Sequence, residues 1–514
     1  MLTVLTLFVI LFDSVLSNSD SFPVYWNIAS KVCYERKIDI PLKYSGIKHN
    51  IGHEFFGDQI VIFYEYKFGY FPYYNGSNAS DPINGGLPQN CPIDKHLTRV
   101  SEQIREKIPR EDFSGIAVID FEEWRPLFKL NWGKKAVYKK ESIRLVRERH
   151  PTLSHKSAKM MAELEFDAAA KKIFLLTIGL ARELRPNARW GFYGFPYCNY
   201  DAGHSSTNIQ CNENFKQHNN DMSFIFEAST ALFPSIYLSF KGTIDQNYRY
   251  IQAIMTESAR IARLQNPVLD IYPYSKFEYD PYSAPDKFYV KKDLCNSVKQ
   301  AADLGARGIV IWSTSKKMKE RCNLLAEYVR NTFGPTLAVI RKRAQRCREE
   351  RCSGHGQCVL PKVASQCTFR MRPEDYICKC DPYFTGRRCS LYKHSRNTGI
   401  PATVATYQKK RRKSRRRRIK KIHFFKVYGE AKSRGEDDQA AQENTVIVGA
   451  TTTTPSSEIV DEDGLLSSSN EITTTLSELP ASVKYTMTLE AVSTPTVLTT
   501  SDPVFQLTPI TLEF

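Results

Sequence analysis

The stretch GIAVIDFEEWRPLF, residues 115–128, decides the reading of the whole chain. Four apolar residues, 116–119, run straight into Asp120, followed by Phe121, Glu122, Glu123 and Trp124. Side chains of a strand alternate between its faces, so Asp120 and Glu122, two residues apart, point to one side at the strand's C-terminal end, and Glu123 points to the other. Two acids against an apolar strand repel each other and lose hydration, which raises the pKa of one of them. A raised carboxyl is what a general acid needs in order to protonate a leaving oxygen. A strand end with two solvated acids would carry the same letters, and spacing alone does not separate the two readings.

Outward from this stretch, short β-branched or aromatic runs alternate with amphipathic ones between residues 22 and 335. The strand candidates are FPVYWN (22–27), QIVIFYE (59–65), GIAVIDFE (115–122), WGFYGF (190–195), SIYLSF (235–240), VLDIYPY (268–274) and GIVIWS (308–313). Helical spacing predicts helices over 97–108, 155–185, 248–264, 293–304 and 316–333. Seven strands with helical crossovers imply a parallel α/β sheet, and this length favours a barrel over an open sheet. In such a barrel the C-terminal strand ends form the active-site face. No Gly-rich phosphate loop follows any strand, which leaves a nucleotide-binding function without support.

The chain has 514 residues and a net charge of +17. That charge resembles a nucleic-acid signature only until it is localised: KKRRKSRRRRIKK (409–421) holds eleven Lys or Arg, and without it the balance falls to +6. No nucleic-acid partner is expected. The run suits electrostatic contact with glycosaminoglycans or anionic lipids, or cleavage by a basic-specific convertase; as a nuclear signal it would be silent in a secreted chain. LTVLTLFVILF (2–12), followed by small and polar residues, reads as a signal peptide over 1–18, with a short membrane anchor as the rival. The destination is extracellular or lysosomal. Thirteen cysteines then imply disulfides with one thiol left over. The sequons at Asn75 and Asn78, in the polar segment YYNGSNASDPINGG, are candidate glycosylation sites. Residues 347–389 are cysteine-dense and poor in apolar residues, too small to fold on a core alone. From 393 the chain turns basic and then Ser/Thr-rich, a composition that stays disordered.

The acid stretch resembles the signature of the hyaluronidases of glycoside hydrolase family 56, which include bee-venom and mammalian sperm enzymes. PVYWN (23–27), NGGLPQ (84–89), NWG (131–133), WGFYGFPYC (190–198), PSIYL (234–238), ARIAR (259–263) and LGARGIVIW (304–312) continue the likeness in order. SGHGQC (353–358) is similar to the EGF-like module of vertebrate members. The resemblance implies a distorted TIM-like (β/α) barrel of seven or eight strands over 19–340, an EGF-like module over 341–392 and the disordered tail over 393–514.

It also implies a retaining endo-β-N-acetylhexosaminidase, with no cofactor and no metal, acting on internal β-1,4 bonds of hyaluronan, with chondroitin as a second substrate. Glu122 becomes the general acid and then base, the substrate's own acetamido oxygen the nucleophile, and Asp120 the group that orients that acetamide; substrate assistance is a recognised exception to the two-carboxylate scheme. Tyr193, Tyr237 and Trp312 match sugar-contacting positions. Tyr272 is assigned to the groove with Tyr274 as its alternative, because LDIYPY departs from the family's Leu-Pro-Tyr. Arg125, Arg260 and Arg263 are candidate partners for the polymer's carboxylates, Arg125 equally a brace within the barrel. Glu123 is structural. The implied disulfides are Cys33 with Cys322, Cys198 with Cys211, Cys347 with Cys358, Cys352 with Cys378 and Cys380 with Cys389. A further bridge between Cys91 and Cys295 would leave Cys367 as the odd thiol. A chondroitin-preferring hydrolase is the rival within the enzyme class, and a non-catalytic glycosaminoglycan-binding protein the rival outside it.

Overall fold

The computed structural model describes residues 21–206, 209–239, 242–361, 366–370 and 372–393; the leader, the basic run and the Ser/Thr-rich tail lie outside them. The described elements in chain order are β1 (Val24–Ile28), β2 (Ile60–Tyr64), α1 (Ile93–Lys107), β3 (Ile116–Asp120), α2 (Ala136–Arg149), α3 (His155–Leu184), β4 (Arg189–Phe192), β5 (Ala231–Leu232), α4 (Ile244–Leu264), β6 (Asp270–Ile271), β7 (Tyr274–Ser275), β8 (Ile309–Ser313), α5 (Met318–Tyr328), α6 (Gly334–Cys352), β9 (Gly356–Val359) and β10 (Ile377–Cys380), among shorter turns. Strand pairing is parallel: β2 with β3, β3 with β4, β5 with β6, and β7 with β8, which pairs in turn with β1. Single bridges, Tyr193 to Phe233 and Ser235 to Tyr274, carry the order across the gaps between these ladders.

Alternation along the strands sorts the core into two sets. Ile116 and Val118 of β3 join Ile60, Ile62, Phe233 and Val310 on the inner side, whereas Ala117 and Ile119 join Val61, Phe63 and Trp190 beneath the helices. With both faces covered, every residue of β3 is buried, the pattern of a parallel strand. Asp120 falls on the same side as Ile116 and Val118, so its side chain points inward. Close packing of β4 on β5 depends on Gly191, where a Cβ would lie 2.2 Å from the Ala231 carbonyl oxygen.

Two predicted strands shift. SIYLSF (235–240) is expected to pair throughout, but the ladder runs at β5, earlier in the chain, with only Ser235 bridging beyond it. Pro234 explains the break, since it has no N–H for a ladder. VLDIYPY splits into β6 and β7 at Pro273 for the same reason. The helix α2 and the helical stretch from Glu213 to Ala228 are further elements beyond those the periodicity picked out.

Above the C-terminal strand ends, Arg321 of α5 donates to both oxygens of Glu278 (2.6 and 2.8 Å) and to Ser313 Oγ (2.5 Å), with both charged side chains buried. Disulfides join Cys33 to Cys322, Cys198 to Cys211, Cys347 to Cys358, Cys352 to Cys378 and Cys380 to Cys389. The sixth corrects the expected bridge: Cys295 pairs with Cys367, and Cys91 is the free cysteine among the described residues. Cys91 is half-buried, and burial pushes its thiol up to about 12. In the cysteine-rich segment β9 pairs antiparallel with β10. No described helix is long and apolar enough to cross a membrane.

Removing one partner of a buried ion pair strands the other charge, so Glu278→Gln should cost about 3–5 kcal/mol, read as a shift in the urea midpoint. The double change Glu278→Leu with Arg321→Met should recover most of it; a Glu278→Gln midpoint equal to the parent's would show that the pair does not hold these strand ends.

Candidate active site

The aromatic residues that flank the motif fix the loop after β3. Phe121 and Trp124 insert among Phe71, Phe174 and Phe166, with Trp124 stacked on Phe71 at 4.9 Å and its indole N–H donating to the Pro72 carbonyl at 2.8 Å. Between these two anchors the backbone at Glu122 and Glu123 must turn outward, leaving its polar groups to be satisfied by side chains. Glu65 Oε2 accepts the N–H of Glu122 and, at 3.1 Å, that of Glu123. Lys135 Nζ donates to the carbonyls of Glu122 and, at 3.1 Å, of Glu123. The Glu123 carboxylate turns away from the mouth and accepts from Tyr66 and from Tyr138 (3.2 Å).

Asp120 is buried, and its Oδ1 has no hydrogen-bond partner among the described residues. Burial raises its pKa well above the ordinary carboxylate value, and the neighbouring charges of Glu122 and Glu65 add to the rise. Glu122 is open to solvent through the mouth, yet protein crowds its carboxyl enough that desolvation raises its pKa too; Lys135 opposes the rise and Glu123 reinforces it. The two acids titrate as a pair in which ionising one disfavours ionising the other.

Around them, at the inner C-terminal mouth, stand Tyr64, Tyr193, Tyr237, Tyr274 and Trp312. Tyr64 lies opposite Asp120 in the ladder, and its hydroxyl accepts from Trp312 Nε1 at 2.9 Å. Tyr237 stacks on Trp312 at 5.9 Å, and the Tyr193 hydroxyl donates to Ser235 Oγ at 3.2 Å. Burial holds the tyrosine hydroxyls of positions 64, 193, 237 and 274 protonated, so they act as neutral donors and acceptors. Together these groups form an aromatic-walled slot beside the carboxyl pair, with Asp120 buried and Glu122 at the solvent edge.

Tyr272 is not in this slot. It lines a cavity of about 520 Å³ at the opposite, N-terminal mouth, beside Gly115 and Arg189. Pro273 offsets the two tyrosines, and Tyr274 is the one that meets Tyr193, at 5.1 Å, and donates to Asn27 Oδ1. Arg260 is bound to Glu257 through two hydrogen bonds of 2.8 and 2.7 Å, and Arg263 sits exposed in the last turn of α4. Arg125 forms no salt bridge among the described residues. It donates to the Leu130 carbonyl and the Tyr200 hydroxyl and lies over the exposed Trp132 ring at 4.6 Å.

Sequence reasoning passed over Tyr64, Glu65 and Lys135. A signal was present for two of them: QIVIFYE repeats, one strand over, the apolar-run-then-acid pattern of GIAVIDFE. Lys135 carried none, since a lysine in a loop is ordinarily a solvated surface group.

Two acids at the C-terminal end of a parallel α/β sheet, beside aromatic walls, are the arrangement of a glycoside hydrolase site, and the family match assigns that class. Residues 13–405 match the family model described as hyaluronidase. The chain is 41% identical over 389 residues to a chondroitin hydrolase of Caenorhabditis elegans, covering 75% of this chain and 83% of that protein. It is 34% identical over 368 residues to Hyaluronidase-1 of Homo sapiens, covering 70% and 83%. Bee venom hyaluronidase, solved in complex with a hyaluronic acid tetramer, superposes with a TM-score of 0.57 at 31% identity, covering 62% of this chain and 98% of that one. The chain belongs to the hyaluronidase family.

Burial pushes Glu65 up to about 8 from an ordinary 4.5. A raised folded-state pKa contributes stability that is full below the ordinary value and lost as pH rises through the raised one. Glu65→Gln keeps an acceptor for the two N–H groups and removes the titration. The melting temperature of this variant should therefore fall less than the parent's between pH 4.5 and pH 8. Parallel melting profiles would show that Glu65 does not titrate in that window.

Proposed function

We propose that this protein is a secreted endo-β-N-acetylhexosaminidase that cleaves internal β-1,4 bonds of chondroitin and hyaluronan with retention. The observation that carries the reading is the unpartnered Asp120 Oδ1, buried beside Glu122 at the mouth. An orphaned acceptor of this kind is costly unless a ligand completes it, and an acetamide N–H is the donor that an N-acetylhexosamine brings. Holding that N–H turns the acetamide carbonyl oxygen toward the anomeric carbon. Glu122 donates its proton to the leaving glycosidic oxygen as the carbonyl oxygen forms its bond to the anomeric carbon and the glycosidic bond breaks. Glu122, now ionised, takes a proton from the water that attacks the same carbon and restores the acetamide. Tyr193 and Tyr237 contact the acetamide, Trp312 packs on the sugar face, and Arg125 on its Trp132 platform meets a carboxylate of the polymer. The greater identity to a chondroitin hydrolase than to Hyaluronidase-1 favours chondroitin as the better substrate.

We also read the parallel strands as a closed barrel, the disulfide-held segment after α6 as an EGF-like module, and the exposed Asn75 and Asn78 as glycosylated. The six disulfides fit an oxidising, extracellular setting.

Glu122→Gln should abolish cleavage while polymer binding persists. Asp120→Asn should lower kcat by about 10²–10⁴-fold with little change in affinity. Size-exclusion profiles of both polymers after incubation read the outcome. Near-full activity in the Gln variant refutes the assignment of the acid, and hyaluronan shortened faster than chondroitin refutes the substrate preference.

A further inference from the structure

The N-terminal ends of the strands, opposite the acids, carry two neighbouring cavities. One, of about 700 Å³, lies between α6, the cysteine-rich segment and the residues just before β1, and Phe22 lines it. The other, of about 520 Å³, is the one that holds Tyr272, and Pro23 lines it. Seven Lys or Arg and two acids, Asp303 and Glu374, line the first; four Lys or Arg and one acid, Asp58, line the second. Several of these cations are already committed: Lys299 to Asp303, Arg346 to Glu350, Arg348 to Asp381, Arg372 to Asp375 and Arg110 to Asp112. Six remain without a salt bridge among the described residues: Lys342, Arg343 and Arg370 in the first cavity, and Lys48, Arg189 and Arg307 in the second.

Cations gathered in concave sites repel one another, and the potential there is strongest where low-dielectric walls focus it. The cost is offset when an anion binds, and guanidinium groups suit carboxylate and sulfate oxygens. Two such sites adjoining along the chain at 22–23 fit a linear polyanion better than a single small anion. The six disulfides place the protein where the abundant linear polyanions are glycans. We propose that the face opposite the catalytic mouth is a second, non-catalytic binding track for a sulfated glycosaminoglycan chain. None of its lining residues belongs to the slot around Asp120 and Glu122. The enzyme thus holds a polymer strand at its back while the mouth works on another strand or another stretch of the same one.

The basic run at 409–421 would also retain heparin, so the test uses the full chain with that run changed to serine. In this background, Lys342→Ser, Arg343→Ser and Arg370→Ser are combined, and separately Lys48→Ser with Arg307→Ser. Each set should elute from heparin at lower salt and bind heparin about tenfold or more weakly, with the slope of log affinity against log salt reduced by about one per cation removed. Cleavage of an oligosaccharide short enough to fill only the mouth should be unchanged, which separates loss of this track from failure of the catalytic reading. Unchanged heparin retention overturns the proposal. So does a loss confined to phosphatidylserine vesicles, which would make the face a lipid-binding one. Equal loss of short-oligosaccharide cleavage would assign these cations to the active site or to folding.

Discussion

The structure turns on keeping two carboxyl groups close together at the end of an apolar strand. Neither repulsion nor lost hydration favours that arrangement, so the surroundings must impose it. The imposition is mechanical: Phe121 and Trp124 are sunk into the aromatic layer beneath the helices and pin the backbone between them at both ends. Glu65 takes its N–H groups and Lys135 its carbonyls, so the peptide units on both sides of the acid are held by hydrogen bonds from two directions. A side chain so mounted loses little freedom on meeting substrate, which is how positioning lowers a barrier.

The aromatic mouth serves the same end by a different route. Protonated phenols and an indole offer hydrogen bonds without adding charge beside the acids. Tyr64 joins the two halves of the site, since it lies in register with Asp120 and receives the N–H of Trp312, which stands on a strand of the other three-stranded ladder. Further out, the Arg321–Glu278 pair and Ser313 lock the strand end that carries Trp312. The chemistry-bearing groups are thus contributed by separate strands and fixed by bonds that cross between them.

Much of this was legible in the letters because it follows from periodicity. Alternation in IAVID turns Asp120 inward, but the ladder ends there, and Glu122 stands beside it on a loop pinned by Phe121 and Trp124, with Glu123 bound by Tyr66 and Tyr138. What escaped was set by tertiary geometry. Pro234 and Pro273 each displaced a ladder by a few residues, enough to exchange Tyr272 for Tyr274 at the mouth. The partner of Cys295 depended on how the segment around Cys367 returns to the helix before β8, which no spacing rule encodes. Arg260 was a candidate for the polymer's carboxylates on its charge and helical spacing, and Glu257, one turn away on α4, already holds it.

The free thiol of Cys91 has a consequence for biogenesis. An odd cysteine in an oxidising compartment ordinarily invites shuffling, because a thiolate attacks neighbouring disulfides and exposed thiols join chains into covalent multimers. Here partial burial raises the thiol's pKa and so keeps the sulfur protonated. Once the six bridges have closed, the raised pKa of the remaining thiol slows its attack on them.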